Sequence, residues 1–272
     1  MALLVAGPVI AGIVYAVLAA LGVTGPGARG LSLRHIENVL SDRVTWIALL
    51  WSVWIAFAST ALATTLAIAA ATLFRGARGG DRFARMVAVV PLPVPHVVAA
   101  LCGVLILSQS GLLARLAFAA GLHASPADMP ELTNDSYGIG LIIALTWKEF
   151  SFLALVAFSV IAGRGAQLEE TARSLGAGTL QTFRAATLPL LWRGLLPSII
   201  AVFTFVAGNY ETAALLAPSF PLALPLLTME RYTDSSLDMR GEAFVLVLLA
   251  TALAFCGVAL HQLTANREIT DE

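Results

Sequence analysis

Apolar residues run along this chain in unbroken stretches of about the 20 residues that an α-helix needs to cross a bilayer. Six stretches qualify, at 3–23, 44–74, 87–107, 139–162, 198–217 and 243–263. The second is longer than a bilayer requires and predicts a tilted or projecting helix. The runs are continuous and too long for strands, so no sheet competes. The polar pieces between them are short. In "LSLRHIENVLSD", 31–42, Leu33, Ile36, Val39 and Leu40 share one helical face, which predicts an amphipathic helix lying on the outer surface. The loops 108–138 and 218–242 are each too small for a ligand-binding domain. The pattern therefore predicts an all-α integral membrane protein, a bundle of six transmembrane helices.

Composition agrees. Of 272 residues, 58% are apolar and 12% charged, against roughly 45–50% and 25% in soluble domains. One soluble core of this size cannot hide that surplus, so lipid is a partner. A net charge of −1 offers nucleic acid no electrostatic footprint. Cys102 and Cys256 sit inside apolar runs and read as small hydrophobes. His35, His96, His123 and His261 form no ligand pair, so no metal site is expected.

The arginines orient the chain. Arg75, Arg78, Arg82, Arg85, Arg164, Arg173, Arg184, Arg193 and Arg267 fall on one side. Arg29, Arg34, Arg43, Arg115, Arg231 and Arg240 are spread over more residues on the other. The positive-inside bias puts the loops 75–86 and 163–197 and both termini in the cytoplasm, making this a multi-pass protein of the cell (inner) membrane. Trp46, Trp51 and Trp54 mark the opposite interface. The first segment lacks a positive n-region and is longer than a signal-peptide core, so it reads as a retained helix.

Two motif matches are decoys. "GPGARG", 25–30, has the letters of a dinucleotide-binding turn, but no strand precedes it. "NDS", 134–136, has the letters of a glycosylation sequon, and three letters decide nothing. Lys148 is the single lysine, so a phosphate-cradling G-x-x-x-x-G-K-[ST] loop is impossible. The chain is expected to be no enzyme, to bind no cofactor and to carry no ATPase site.

The stretch "EETARSLGAGTLQTFRAATLP", 169–189, is polar and turn-broken between two apolar segments. Leu168, Ala172 and Leu175 recur on one helical face. Glu169 and Glu170 lie in the first turn, where the helix dipole favours acids. Gly176 and Gly178 bracket a break. Thr179 can cap a second short helix carrying Leu180, Phe183 and Ala186 or Thr187. Pro189 marks its end or a kink before the chain re-enters the membrane. Two short helices at a sharp angle, each with a small apolar face, exceed what a connector needs and read as a docking surface.

Glu170, Ala172, Gly176, Leu188 and Pro189 stand at the spacing E-x-A-x₃-G-x₁₁-L-P. This resembles the "EAA" loop of membrane subunits of binding-protein-dependent ABC importers, of the type I, MetI-like fold. Thr171 and Ala186 depart from the usual Ala and Ile, both with small residues. The resemblance extends through "LSLRHIENVLSD" and "VPLPVPHVVAAL" and covers most of 31–263. It implies cytoplasmic coupling helices seated in a cleft of a separate ABC ATPase dimer. That ATPase would bind the ATP and switch the membrane helices between inward- and outward-facing states. It also implies a second permease subunit, identical or homologous, and an external solute-binding protein. Glu170, Ala172 and Gly176 would form the heart of the coupling helix, with Leu175 and Phe183 packing. The implied division is 1–43, a first helix and external amphipathic segment; 44–263, the permease domain with its coupling loop at 163–197; and 264–272, a cytoplasmic tail. The segments "GNYETAALL" and "PLLTMERYTDSSLDMRGEA" resemble the subgroup handling polyamines, thiamine, ferric iron or phosphonates.

Lys148 and Glu149 fall near the middle of the fourth span, about 14 Å from its start, where charge is costly and faces a bundle interior or a wet cavity. Asn209 and Glu211 lie toward the outer half of the fifth. Two readings stand: a translocation path lined by Lys148, Glu149, Asn209 and Glu211, or an interhelical bridge, such as Lys148 with Glu211, that only fixes packing. The charged trio Lys148, Glu149 and Glu211 also suits an ion-coupled secondary transporter, although no internal repeat of the kind common in such folds is visible. Pro91, Pro93 and Pro95 interrupt the third span. They either shape a pathway or reflect the ordinary tolerance of membrane helices for proline.

Overall fold

A computed structural model describes residues 2–270 except 77, 123, 126 and 127. His123 and the end of the 264–272 tail lie outside the described residues. Among them there is no strand. In chain order the helices are α1 (Ala2–Ala20), α2 (Arg34–Ser41), α3 (Arg43–Leu73), α4 (Gly79–Val89), α5 (His96–Leu107), α6 (Leu112–Ala119) and α7 (Ile139–Val160). There follow α8 (Ala166–Ser174), α9 (Thr179–Thr182), α10 (Leu188–Ala207), α11 (Tyr210–Leu216), α12 (Leu224–Thr233) and α13 (Leu237–Thr270). Five helical stretches are long and apolar enough to cross a bilayer: 43–73, 96–119, 139–163, 179–207 and 237–257. The apolar part of α1, Ala6–Ala20, is shorter.

Two expected spans are redrawn. The 87–107 stretch is split by a turn at 90–95 between α4 and α5, because Pro91, Pro93 and Pro95 each remove a backbone donor. Pro95 caps α5. The 198–217 stretch is also split. α10 starts earlier and passes through Pro197, then stops before Asn209. Asn209 turns extended, and its side-chain oxygen accepts a hydrogen bond from Thr212 N at 2.9 Å to start α11.

The chain forms two compact units, residues 1–54 with 207–272, and residues 55–206. In the first, α1, α2 and α12 pack on α13. Val39, Ala48, Leu224, Leu227, Val245 and Leu246 form the core. The amphipathic segment is helical as expected, but the residues it buries are His35 and Val39, while Leu33 and Leu40 are exposed. The reason is its partner. It packs on α13 by way of Asn38, which donates to Glu242 at 2.9 Å, and His35, which lies against Gly241. Arg231 is the hub. Its two terminal nitrogens reach Asp42 at 2.7 Å and Glu242 at 2.6 Å.

In the second unit, α4 and α5 pack on α7. The α3 residues of this unit bury a small-residue face, Ala56, Ser59, Thr60, Ala63 and Ala67. Small residues let helices approach closely where lipid supplies no hydrophobic drive between them. At Gly194 of α10 an added Cβ would stand 2.7 Å from Val160 Cγ2, so only glycine fits there.

Both contacts make predictions, read by reversible unfolding in mixed micelles. Arg231→Met removes the counter-charge of Glu242, which is 6% exposed and keeps the neutral Asn38 as a donor, and is expected to cost about 3–5 kcal/mol. Gly194→Val is expected to cost about 1–3 kcal/mol by overpacking, and Val160→Ala in the same chain is expected to return part of it.

Candidate functional site

The polar insert folds as a knuckle between α7 and α10. It leaves α7 through a π-helical turn, Ile161–Gly165, runs through α8, reverses, and returns through α9 and a second π-helical turn, Phe183–Thr187. The reversal is a Schellman turn. Gly176 N donates to Arg173 O at 2.9 Å and Ala177 N to Ala172 O at 3.1 Å, satisfying carbonyls the helix end would leave open. Gly176 sits at φ +86°, the left-handed region where a side chain is strained. Gly178, not Thr179, occupies the cap of α9, in extended conformation.

The exposure of the knuckle inverts the ordinary pattern. Leu175 is 84% exposed and Leu180 62%, and Leu168 and Glu170 are exposed as well. Leu175 is therefore left largely uncovered by the described residues. Phe183, Ala186 and Leu188 are half-buried, Ala172 likewise, and Pro189 is exposed. Glu169 is the residue turned inward. It accepts hydrogen bonds from Arg75 and from Thr187 Oγ1, the latter at 2.8 Å. An open cleft lined by Arg75, Ile161, Glu169, Glu170, Arg173 and Ser174 lies beside it. Sequence reasoning missed Glu169, Arg75 and Thr187 as a set, because nothing in their spacing brings positions so far apart together.

The midspan polar residues have defined partners. Lys148 and Glu149 are both 7% exposed. Lys148 Nζ donates to the Leu92 carbonyl at 2.9 Å, within the proline turn between α4 and α5. Glu149 Oε1 lies 3.1 Å from His96 Nε2, at the first residue of α5, where the helix dipole also favours a carboxylate. The His96 ring is stacked obliquely on Phe205, centroids 4.8 Å apart. Adjacent residues of α7 thus serve the two sides of one helix break, as their separation of about 100° around the helix allows. His96 was not singled out from the sequence, and its proximity to the prolines was the available signal. Asn209 and Glu211 belong to the other compact unit. Asn209 is buried and caps α11, whereas Glu211, in the first turn of α11, is exposed.

Residues 63–269 match the family of binding-protein-dependent transport system inner membrane components, and the chain belongs to that family. It is 31% identical over 190 residues to a probable molybdenum ABC transporter permease protein of Haloferax volcanii, covering 70% of this chain and 64% of that one. It is 27% identical over 261 residues to the inner membrane ABC transporter permease protein YnjC of Escherichia coli, covering 92% of this chain and 47% of that one. The chain thus spans about two thirds and about half of these relatives. Among solved structures, a bacterial ABC transporter involved in the import of the acidic polysaccharide alginate superposes with a TM-score of 0.69 at 15% identity, covering 96% of both chains. At that identity the likeness establishes the fold.

Lys148→Met removes the donor from the Leu92 carbonyl and is expected to destabilise the chain by about 1–3 kcal/mol. Glu149→Gln keeps a hydrogen-bonding group opposite His96 and is expected to cost less. Unfolding of both variants in mixed micelles, followed by tryptophan fluorescence, checks the order.

Proposed function

We propose that this chain is the membrane permease subunit of an ATP-driven ABC importer, carrying no ATPase site of its own. The observation that carries the reading is the knuckle. A Schellman-closed pair of short helices presents Leu168, Leu175, Leu180 and Glu170 outward, exposed among the described residues. Exposed apolar residues on an ordered loop are a docking surface. Its partner is a nucleotide-binding subunit in dimeric form, seated on Glu170, Ala172, Leu175, Gly176 and the neighbouring Phe183, Leu188 and Pro189. The knuckle lies on the cytoplasmic side of the inner membrane, with both termini, as the arginine distribution favours.

A second permease subunit completes the pathway, and an external binding protein delivers the solute. The cargo is a small solute. The tail segments point to the polyamine, thiamine, ferric-iron or phosphonate group, and the relative named for molybdenum adds that element. Of the candidate path residues, exposed Glu211 is the one left to meet the cargo. Lys148, Glu149 and Asn209 serve helix breaks, an arrangement that also counts against a proton relay through Lys148 and Glu149.

Pull-down from solubilised source membranes tests the reading. The wild-type chain is expected to bring a nucleotide-binding subunit with it. Glu170→Arg and Gly176→Trp are each expected to lower its recovery by about tenfold, as loss of a central contact does. Recovery that survives both substitutions removes the docking role.

A further inference from the structure

We propose that Glu169 is a positioning residue that ties the knuckle to the end of α3, so that displacement of the knuckle carries α3 with it. The purpose of that displacement rests on the docking role proposed above. The tie itself does not.

Glu169 is 8% exposed between two exposed neighbours, Leu168 and Glu170. Its Oε1 accepts from Arg75 Nη1 and from Thr187 Oγ1, and its Oε2 lies 3.8 Å from Arg173 Nη2. Arg75 follows the end of α3 by two residues. Thr187, 1% exposed, is the last residue before α10. One carboxylate therefore joins three chain segments, with partners 94 and 18 residues away in sequence. A second arginine steadies the anchor. Arg85 of α4 donates to the carbonyls of Phe74 and Gly76, at 2.6 and 2.9 Å, and so fixes the backbone on either side of Arg75.

The placement suits transmission. The knuckle is joined to its flanking helices by two π-helical turns, where the regular helical ladder is broken. A knuckle held only through such turns can swing without moving the spans. Glu169 bypasses the first, because Arg75 follows the end of α3, and pins the last residue of the second, Thr187, just before α10. The tie is charge-assisted, with the Glu169 carboxylate buried and Arg75 partly exposed at the open cleft. A glutamine at 169 keeps an oxygen for Thr187 and loses the charge that holds Arg75. The two adjacent acids thus divide the work, Glu169 inward as a tie and Glu170 outward on the surface.

The test uses the full chain in lipid nanodiscs on a Cys102→Ser, Cys256→Ser background, with spin labels at Leu73→Cys and Leu180→Cys, positions 71% and 62% exposed. The distance distribution between the labels is expected to be narrow. Glu169→Gln and Arg75→Met are each expected to widen it about twofold, and the double variant no further than either single one, the mark of a shared interaction. Thr187→Val, which leaves the ion pair in place, is expected to widen it less and serves where a charge variant fails to fold. Unchanged widths in both single charge variants overturn the tie, as do widenings that add in the double variant. This measurement needs no partner, so it stands even where the docking reading fails. In the assembled transporter, Glu169→Gln is expected to retain the nucleotide-binding subunit while lowering solute moved per ATP by about fivefold, a coupling-scale loss. Loss of the subunit itself assigns Glu169 to docking and overturns the proposal.

Discussion

A backbone that stops being helical leaves amides and carbonyls without partners, which lipid cannot supply, and this protein meets that constraint at one interruption after another. At the proline turn the Leu92 carbonyl receives Lys148. Past the end of α3 the carbonyls of Phe74 and Gly76 receive Arg85. Asn209 caps α11 from its own side chain. The first amide of α12, Leu224 N, donates to Ser52 Oγ at 2.8 Å. At the reversal after α8 the backbone closes on itself, which the left-handed Gly176 permits. In a chain with only 12% charged residues, several of the polar groups inside apolar segments are explained by a helix end that needs them.

That constraint also marks what was legible in the sequence. The spans at 44–74 and 139–162 lack prolines and glycine–asparagine breaks, and they emerge nearly as drawn, as Arg43–Leu73 and Ile139–Gly163. The redrawn ones each contain a break whose chemistry is visible in the letters: alternate prolines at 91, 93 and 95, and Gly208-Asn209 with an acid two positions on. Hydropathy averages over such signals, because Pro and Gly inside an apolar run scarcely lower its mean. The knuckle was legible because its glycines act locally, whereas Pro189 does not end the second helix but sits in the first turn of α10. Its buried network was not. Glu169, Arg75 and Thr187 meet only once the whole unit has folded, and no periodicity links positions 94 residues apart.

Helical spacing grouped the apolar residues at two places and left open what covers them. In the 31–42 segment it set Leu33, Ile36, Val39 and Leu40 on one face, of which Val39 is buried, together with His35. In the knuckle it marked a docking face, and the residue turned inward is Glu169. Helical periodicity says which residues share a face, not which face is covered. Where the neighbouring element presents a charged or polar group, as α13 presents Glu242 and the end of α3 presents Arg75, an ion pair or hydrogen bond decides the orientation, and leucines are left outside. On a soluble surface that is costly. Beside lipid or under a partner subunit, exposed leucines cost little, so the polar contact wins.

The two compact units differ in where polar ties and helix breaks fall, and the difference bears on motion. Residues 1–54 with 207–272 are drawn around Arg231, which reaches Asp42 and Glu242 at once, and around a core of leucine and valine. Residues 55–206 combine a small-residue face on α3 with buried leucines, Leu141, Leu145, Leu153, Leu191 and Leu195, and contain the three prolines of the turn, both π-helical turns and Pro197. Broken helical ladders are where helices bend, and hinge motions use a few positions at element ends. On the proposed function, converting movement of the knuckle into movement of the spans requires bends next to ties, and the second unit has both within its own residues. The bends are the π-helical turns and the proline turn, and the ties are Glu169 with Arg75 and Lys148 with the Leu92 carbonyl. Without the ties, the same bends would let the knuckle move alone.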